Sequence, residues 1–100
     1  MGVIEDKSAS LGYSLPDAAV PVANYVPTVQ VQSAGLIFTS GHVPRTADGG
    51  FWTGKLGIDT SVEEGYEAAQ TTVLSILGSL KTELGDLDRI TRIVKLLCMV

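Results

Sequence analysis

Residues 28–44 read TVQVQSAGLIFTSGHVP, a stretch that predicts two β-strands joined by a tight turn. Polar and apolar residues alternate over residues 28–33, which is typical of a strand with one buried face. Gly35 follows this strand and tolerates the positive φ that a hairpin turn needs. Residues 36–40 then form the predicted return strand, so the stretch as a whole predicts a β-hairpin.

The predicted return strand ends at Ser40-Gly41, where a hydroxyl and bare backbone amides stand at the end of a sheet. Small ligands are often held at such positions. No base lies next to Ser40, so a Ser-His-Asp arrangement is a weak interpretation. Its hydroxyl either donates a hydrogen bond to a ligand or caps the turn. Tyr25 precedes Val26-Pro27, which holds it extended, and its phenol either enters a pocket or packs as a ring.

Residues 61–85 predict a long amphipathic helix. Ser61 and Glu64 have the spacing of a capping box at its start, and Gly85 supplies the stop. Apolar residues recur every three or four positions between them. The helix therefore needs a large apolar partner, and a sheet is the natural one. The residues expected to pack on that sheet are Tyr66, Ala69, Val73, Leu77 and Leu80.

Residues 90–100 predict a further strand, because their last five residues, LLCMV, are all apolar, as in a central strand. Cys98 is then expected to be a small buried residue. A chain that stops on its most apolar pentapeptide has two interpretations. Either a central strand is last, or later elements of the fold are missing from this sequence, and we expect the second.

The N-terminal part is predicted to contain a short helix over residues 3–11 and an extended lead-in over residues 12–23, which carries two prolines. The predicted order is hairpin, loop, long helix and strand, an α+β arrangement. One hundred residues correspond to a single domain, and 45% apolar residues provide for a core.

The formal charge of −4 and the pI of about 4.7 oppose a broad nucleic-acid or anionic-membrane surface. A single cysteine cannot form an intrachain disulfide. Residues 1–7 lack the pattern of a signal peptide, and no apolar run approaches the roughly 20 residues of a membrane span. Together these features predict a cytoplasmic protein.

Several motifs are better explained by structural roles than by catalysis or ligand binding. Gly49 to Lys55 imitates a phosphate loop, but Leu56 replaces the Ser or Thr that would bind Mg²⁺. His42 is the only histidine and is expected to be an exposed polar loop residue, so no metal site is predicted. Glu63, Glu64 and Glu67 are expected to interact favourably with the dipole of the long helix. Arg89, Arg92 and Lys95 are expected to form a solvated face of the last predicted strand.

The spaced motifs together resemble the RidA (YjgF, L-PSP) family. Its pattern of Gly-Pro-Tyr, then Gly, a hydrophobic strand and Ser-Gly-Gln-x-Pro is matched by Tyr25, by residues 35–41 and by Pro44. Asn24 stands where the family has proline, and His42 where it has glutamine. The resemblance covers residues 21–100, and residues 1–20 are interpreted as the N-terminal extension of a divergent subgroup.

The resemblance implies an α+β, chorismate-mutase-like fold and a homotrimer with ligand clefts between subunits. It implies hydrolysis of reactive enamine or imine acids to a 2-keto acid and ammonia, with no cofactor and no metal. Tyr25, Ser40 and Gly41 are the implied substrate-binding residues. The family's catalytic arginine and glutamate belong to strands beyond Val100, so the catalytic residues are unknown here.

Three functional hypotheses follow. The first is an enamine/imine deaminase, and the second is a non-catalytic protein that binds a small carboxylate in the same cleft. A glutamate in the later strand would favour the first, and its absence the second. The third is an endoribonuclease, which the acidic charge and sparse basic residues oppose. Under the first hypothesis, a 100-residue chain without the arginine would be inactive.

Overall fold

The computed structural model describes residues 2–17 and 25–100. In chain order the described elements are α1 (Val3–Ser10), β1 (Thr28–Val31), β2 (Leu36–Thr39) and α2 (Val62–Leu84). Two one-turn 3₁₀ segments, Gln32–Ala34 and Leu87–Arg89, follow β1 and α2. The α+β class and the short N-terminal helix predicted from the sequence are confirmed. Of the predicted lead-in, residues 12–17 contain no helix or strand, and residues 18–23 lie outside the described residues, as does Asn24.

The predicted hairpin is present with antiparallel pairing between β1 and β2. Thr28 pairs with Thr39 at the open end, and Val31 pairs with Leu36 at the turn. The connection contains a 3₁₀ turn that ends at Gly35, with φ of 65° and ψ of 33°. This left-handed conformation favours glycine, which explains why the turn is placed there.

The side of the hairpin that faces α2 is the more polar one. Gln30 donates a side-chain hydrogen bond to Glu83 of α2, at 3.2 Å. Thr28, Gln30 and Ile37 are partly buried on this side. The opposite side, here called the open hairpin face, consists of four exposed apolar residues: Val29, Val31, Leu36 and Phe38. The hairpin therefore presents most of its apolar surface away from the helix.

The boundaries of α2 are those that the sequence predicts. The Glu64 amide donates to Ser61 Oγ at 3.1 Å, and the Ser61 amide donates to Glu64 Oε1 at 3.0 Å, which completes the capping box. Gly85 ends the helix with a φ of 80°. Glu63 and Glu64 lie in the first turn of the helix, near the positive end of its dipole, and they are exposed, as is Glu67.

The predicted packing of the whole α2 stripe on a sheet is wrong for its N-terminal half. Tyr66 is 68% exposed, Val73 is 51% exposed, and Ala69 is exposed too, whereas Leu77 and Leu80 are partly buried. The reason is length. A helix of 23 residues is about 35 Å long, whereas strands of four residues span about 13 Å. The hairpin can cover only part of such a helix.

The tightest packing lies at the C-terminal end of α2. Leu87 is fully buried, and Gly78 and Ser79 are buried on the helix itself. A Cβ on Gly78 would collide with the backbone carbonyl oxygen of Pro16, so the helix and the residue 16 segment approach closely. In the described part of the chain, the core is therefore assembled around this end of the helix.

The N-terminal helix joins this core through polar contacts. Asp88 accepts from the Val3 amide at 2.7 Å and from the Ile4 amide at 2.9 Å, so a residue far along the chain caps α1. Glu5 is buried, and its carboxylate lies 3.7 Å from the Lys81 ammonium of α2. These contacts fix α1 against the C-terminal end of α2.

The strand predicted over residues 90–100 is not formed in the described structure. The segment makes no ladder hydrogen bonds with the hairpin, and a strand needs a paired neighbour to satisfy its backbone groups. Its apolar side chains from Ile93 onward are exposed, including Leu97 at 75% and Met99 at 86%. The prediction that Cys98 is buried is therefore wrong: it is an exposed free thiol. Arg92 and Lys95 are solvated, as predicted, but not on a strand.

Candidate substrate-binding site at the end of the hairpin

The open end of the hairpin brings together the residues on either side of the two strands. The Ser40 amide donates to the Pro27 carbonyl at 2.9 Å and continues the pairing by one residue beyond β2. The Ser40 hydroxyl also faces this carbonyl, at 3.3 Å. Tyr25 lies two residues before Pro27 and is 45% exposed. The sequence therefore places Tyr25 and Ser40 at the same end of the sheet because the strands pair there.

The hydroxyl of Ser40 thus has a structural contact in the structure as described. At 3.3 Å the bond to Pro27 is long for O–H···O. A hydroxyl also offers two acceptor lone pairs. Ser40 can therefore hold the strand end and still accept a hydrogen bond from a ligand, which combines the two roles considered for it above.

Gly41 is exposed and faces open space. Nothing lies within 4 Å of the position that a Cβ would occupy. Its φ lies outside the left-handed region, so the backbone conformation does not itself require glycine. Among the described residues its N–H has no hydrogen-bond partner. The glycine therefore presents an amide donor without a partner among the described residues, in an exposed part of the chain.

His42 is not the exposed loop residue that the sequence predicts. It is partly buried, and its ring bridges two elements: Nδ1 lies 2.9 Å from the Ser40 carbonyl oxygen, and Nε2 lies 2.9 Å from Ser79 Oγ. Ser79 is only 2% exposed on α2. The imidazole thus connects the end of the hairpin to the buried side of the helix, a contact between residues 37 positions apart.

The partners of the ring assign its tautomer. A backbone carbonyl can only accept, so Nδ1 must carry the proton that is donated to Ser40. In the neutral imidazole Nε2 is then an acceptor, and the Ser79 hydroxyl donates to it. Ser79 was not singled out from the sequence, because a serine within a helix pattern gives no sign of which distant loop it contacts.

Comparison with known proteins bears on this arrangement. The sequence profile described as "YjgF/chorismate mutase-like, putative endoribonuclease" matches residues 5–100. The chain belongs to the YjgF/chorismate mutase-like family. Protein TCP17 of Trypanosoma cruzi is 43% identical over 86 residues, which are 86% of this chain and 52% of that relative.

A solved structure agrees with this family and with its fold. The crystal structure of a "putative endoribonuclease" from Shewanella oneidensis MR-1 superposes with a TM-score of 0.80 and 34% identity, over 89% of this chain and 58% of the other. The chorismate-mutase-like fold predicted from the sequence is confirmed. The chain spans about half the length of the curated relative that it matches.

Two arginines of this YjgF-like chain have defined contacts, and neither contact is with the residues at the hairpin end. Arg45 stacks its guanidinium 4.8 Å above the Phe51 ring, and Arg89 donates to the Leu84 carbonyl at 3.1 Å, near the end of α2. Within residues 2–17 and 25–100, no contact brings an arginine to Ser40 or Gly41. The candidate site is therefore formed by neutral donors and acceptors.

The acidic group with metal-ligand spacing has other partners. Oxygens of Glu5, Asp86 and Asp88 lie within 4.8 Å of one another. Asp88 uses both oxygens as acceptors from α1 amides, and Asp86 accepts from the Asp88 amide at 2.9 Å. The Ile4 amide, and then the Val3 amide, hold the pKa of Asp88 below its usual value. Asp86 and Asp88 are therefore accounted for by the cap of α1 and its turn, whereas Glu5 pairs with Lys81 through one oxygen and its buried Oε1 has no hydrogen-bond partner among the described residues.

Helices long and apolar enough to cross a bilayer do not occur among the described residues.

Proposed function

We propose that the protein hydrolyses small 2-imino or enamine acids to 2-keto acids and ammonia at the open end of the hairpin. The observation that carries this proposal is the free Gly41 amide beside open space, adjacent to the Ser40 hydroxyl. Tyr25, at the same end, adds an exposed phenol. These are uncharged hydrogen-bonding groups, which suit a small planar substrate more than a polyanion.

The reaction needs only water as its second reactant. The water oxygen adds to the imine carbon, and the C=N bond becomes a single bond as nitrogen takes a proton. The resulting carbinolamine then loses ammonia as its hydroxyl proton leaves, which gives the keto group. In this proposal Tyr25, Ser40 and Gly41 hold the imine end of the substrate or the attacking water.

The substrate carboxylate requires a fixed cation, and a bidentate arginine suits it best. Arg45 and Arg89 already have other contacts, and Arg92 is exposed in the segment after α2. As the family resemblance implies, we propose that the carboxylate-binding arginine and the water-positioning glutamate lie in later strands of the family fold, which this chain does not span. The greater length of TCP17 is consistent with this assignment.

Cleavage of RNA is the second candidate, because the matching family and the Shewanella oneidensis protein are both described by the words "putative endoribonuclease". RNA binding relies on lysine and arginine contacts with phosphates. This chain has a net charge of −4, and its basic residues do not cluster at the hairpin end. We therefore rank it below imine hydrolysis.

We also propose that the protein assembles as a homotrimer with substrate between subunits. Two exposed apolar surfaces support association: the open hairpin face and the apolar residues within 91–100. Unpaired strands and apolar surfaces of this kind favour pairing with another chain. Sedimentation equilibrium at micromolar concentration should give three times the mass of the chain, and a stable monomer would contradict the proposal.

A cytoplasmic location is the last part of this proposal. Cys98 is the only cysteine and is an exposed free thiol, which fits a reducing compartment. Cell fractionation should recover the protein with cytoplasmic markers, and recovery in a secreted fraction would contradict it.

The test of activity is ammonia release from imines produced by an amino-acid oxidase. The protein at its full encoded length should accelerate release, and Ser40→Ala should reduce kcat/KM about fivefold, the effect of one hydrogen bond. Ser33→Ala, an exposed serine at the other end of the hairpin, is the matched control and should retain full activity. Neither variant changes a residue of the buried core.

Three outcomes would overturn the assignment. Binding of a 2-keto acid by calorimetry without turnover would favour the non-catalytic carboxylate-binding protein. Cleavage of RNA that Ser40→Ala abolishes would favour the endoribonuclease. Equal activity of Ser40→Ala and wild type would mean that the hairpin end is not the site.

A further inference from the structure

We propose that His42 is a positioning residue that sets the direction of the Gly41 amide. Its Nδ1–H tautomer links the Ser40 carbonyl to Ser79 of α2. The inference about structure is independent of the reaction, and its catalytic consequence rests on the function proposed above.

The peptide bond between residues 40 and 41 couples the Ser40 carbonyl to the Gly41 amide. The Ser40 carbonyl and the Gly41 N–H belong to one planar trans unit and point in opposite directions. A hydrogen bond that fixes the carbonyl therefore fixes the N–H as well. His42 Nδ1 makes this bond at 2.9 Å, and the Gly41 N–H on the other side is left without a partner among the described residues.

The His42 imidazole is itself held in place by a contact with α2. An exposed ring on a loop would rotate between rotamers and release the carbonyl. Here Nε2 accepts from Ser79 Oγ at 2.9 Å, and that serine is 2% exposed on a 23-residue helix. The helix thus provides a rigid anchor for the ring.

Gly41 is the residue whose orientation these bonds restrict. A peptide without a side chain in an exposed loop has many accessible orientations. Ser40 is held from one side by Pro27, through its amide at 2.9 Å. The His42 bond to the Ser40 carbonyl supplies the second constraint, from the side of α2. The two together define one orientation of a donor that a substrate atom must meet.

Nuclear magnetic resonance of histidine-labelled protein tests the structural part. The expected spectrum of neutral His42 has the proton on Nδ1, and Ser79→Ala should shift the Nε2 resonance and the Gly41 amide resonance. Thr82→Val is the matched control, since the Thr82 hydroxyl bonds to its own helix at Gly78, at 3.1 Å. A proton on Nε2, or a Gly41 resonance that Ser79→Ala and Thr82→Val leave equally unchanged, would overturn the proposal.

Two substitutions of His42 separate the halves of the bridge. In His42→Asn the amide nitrogen occupies the place of Nδ1 and keeps donation to Ser40. In His42→Gln the amide reaches the place of Nε2 and keeps only the Ser79 contact. The Gly41 resonance should stay nearer to wild type in the asparagine variant, and the reverse order would contradict the assigned roles.

Kinetics test the consequence for the proposed function. His42→Gln should raise KM for imine hydrolysis about fivefold while kcat remains within a factor of about two, and His42→Asn should have the smaller effect on KM. A change in kcat alone would contradict a positioning role. If wild type releases no ammonia, imine hydrolysis fails as the function, and the resonance measurements still decide whether His42 orients Gly41.

Discussion

The two ends of α2 share one apolar periodicity but have different surroundings. At the C-terminal end, Gly78 and Ser79 are buried, and the fully buried Leu87 lies just beyond the helix. At the N-terminal end Tyr66 is 68% exposed, and the Leu56 side chain from the preceding loop covers Gly65. The periodicity decides which residues share a helix face. Burial depends on which other elements reach that face.

The largest expected effect tests the buried end directly. Leu87→Ala should lower the free energy of unfolding by about 2–5 kcal/mol, because it leaves a cavity in the core. Ile58→Ala, before the N-terminal end and 81% exposed, should change it by no more than about 0.5 kcal/mol. Urea unfolding followed by circular dichroism measures both. Similar values for the two variants would remove the distinction between the ends.

A pair of glycines sharpens the comparison within the helix itself. Alanine adds helix propensity of up to about 1 kcal/mol at either position. At Gly78 the new Cβ collides with a backbone carbonyl, so Gly78→Ala should be net destabilising by about 1–3 kcal/mol. At Gly65 it meets only the flexible end of Leu56, so Gly65→Ala should be neutral or stabilising.

The same unfolding experiment compares the two glycine variants. The difference between them isolates the approach of Pro16 to α2, because the propensity gain is common to both. Stabilisation by both substitutions would show that the residue 16 segment moves away from the helix at little cost.

A substitution in the capping box tests the N-terminal end of α2 alone. Ser61→Ala should cost about 1 kcal/mol, because it leaves the Glu64 amide without its partner. Glu64→Gln retains a side-chain acceptor for the Ser61 amide and should be close to wild type. Hydrogen exchange should show faster opening of the first helical turn in Ser61→Ala only. Faster exchange at the C-terminal end would imply that the two ends open together.

The smallest effect is expected for the solvent-exposed carboxylate that caps α1. The pKa of Asp88 is lowered by the Ile4 amide and then by the Val3 amide. Its stabilising contribution is therefore present above the pKa of the unfolded chain and is lost as the pH falls through the lower pKa of the folded state. Asp88→Ala should reduce the thermal midpoint at neutral pH and converge with wild type once the pH lies below the lowered pKa of Asp88 in the folded state.

Asp48→Ala is the control for the Asp88 substitution. The pKa of Asp48 is also lowered, by the Thr46 hydroxyl and then by the Gly50 amide, but both contacts lie within one loop. It should shift the midpoint less. A gap between Asp88→Ala and wild type that persists at low pH would show that the cap does not act through its charge.

Local signals in the sequence predict much of this fold. The alternation in residues 28–33, Gly35, and the pair Ser61 and Glu64 specify the hairpin and the helix start, because each depends on neighbours a few residues away. The exposure of Tyr66 and of residues 91–100 could not be predicted from the spacing of apolar residues. Apolar periodicity identifies a face suited to burial and carries no information about its partner.

In the candidate site too, features set by neighbours in the sequence could be predicted, and a contact with a distant element could not. Ser40 and Gly41 were identified because they end a strand, and the hairpin register places them beside Pro27. The role of His42 was missed, because its partner Ser79 lies on a different element and looks like an ordinary helical serine. The spacing of a lone histidine gives no indication of such a partner. Whether Tyr25, Ser40 and Gly41 bind substrate remains a prediction for the assays above.

The cap on α1 has a consequence for the order of folding during synthesis. The Val3 amide and the Asp88 carboxylate are 85 positions apart, and an eight-residue helix is unstable in water by itself. The contacts that cap α1 can therefore form only after residue 88 has been synthesised. Closing so long a loop slows folding, since its entropy must be lost before the contact forms. In nascent chains that stop before residue 88, the α1 segment should therefore be sensitive to proteases, and it should become protected once Asp88 has left the ribosome.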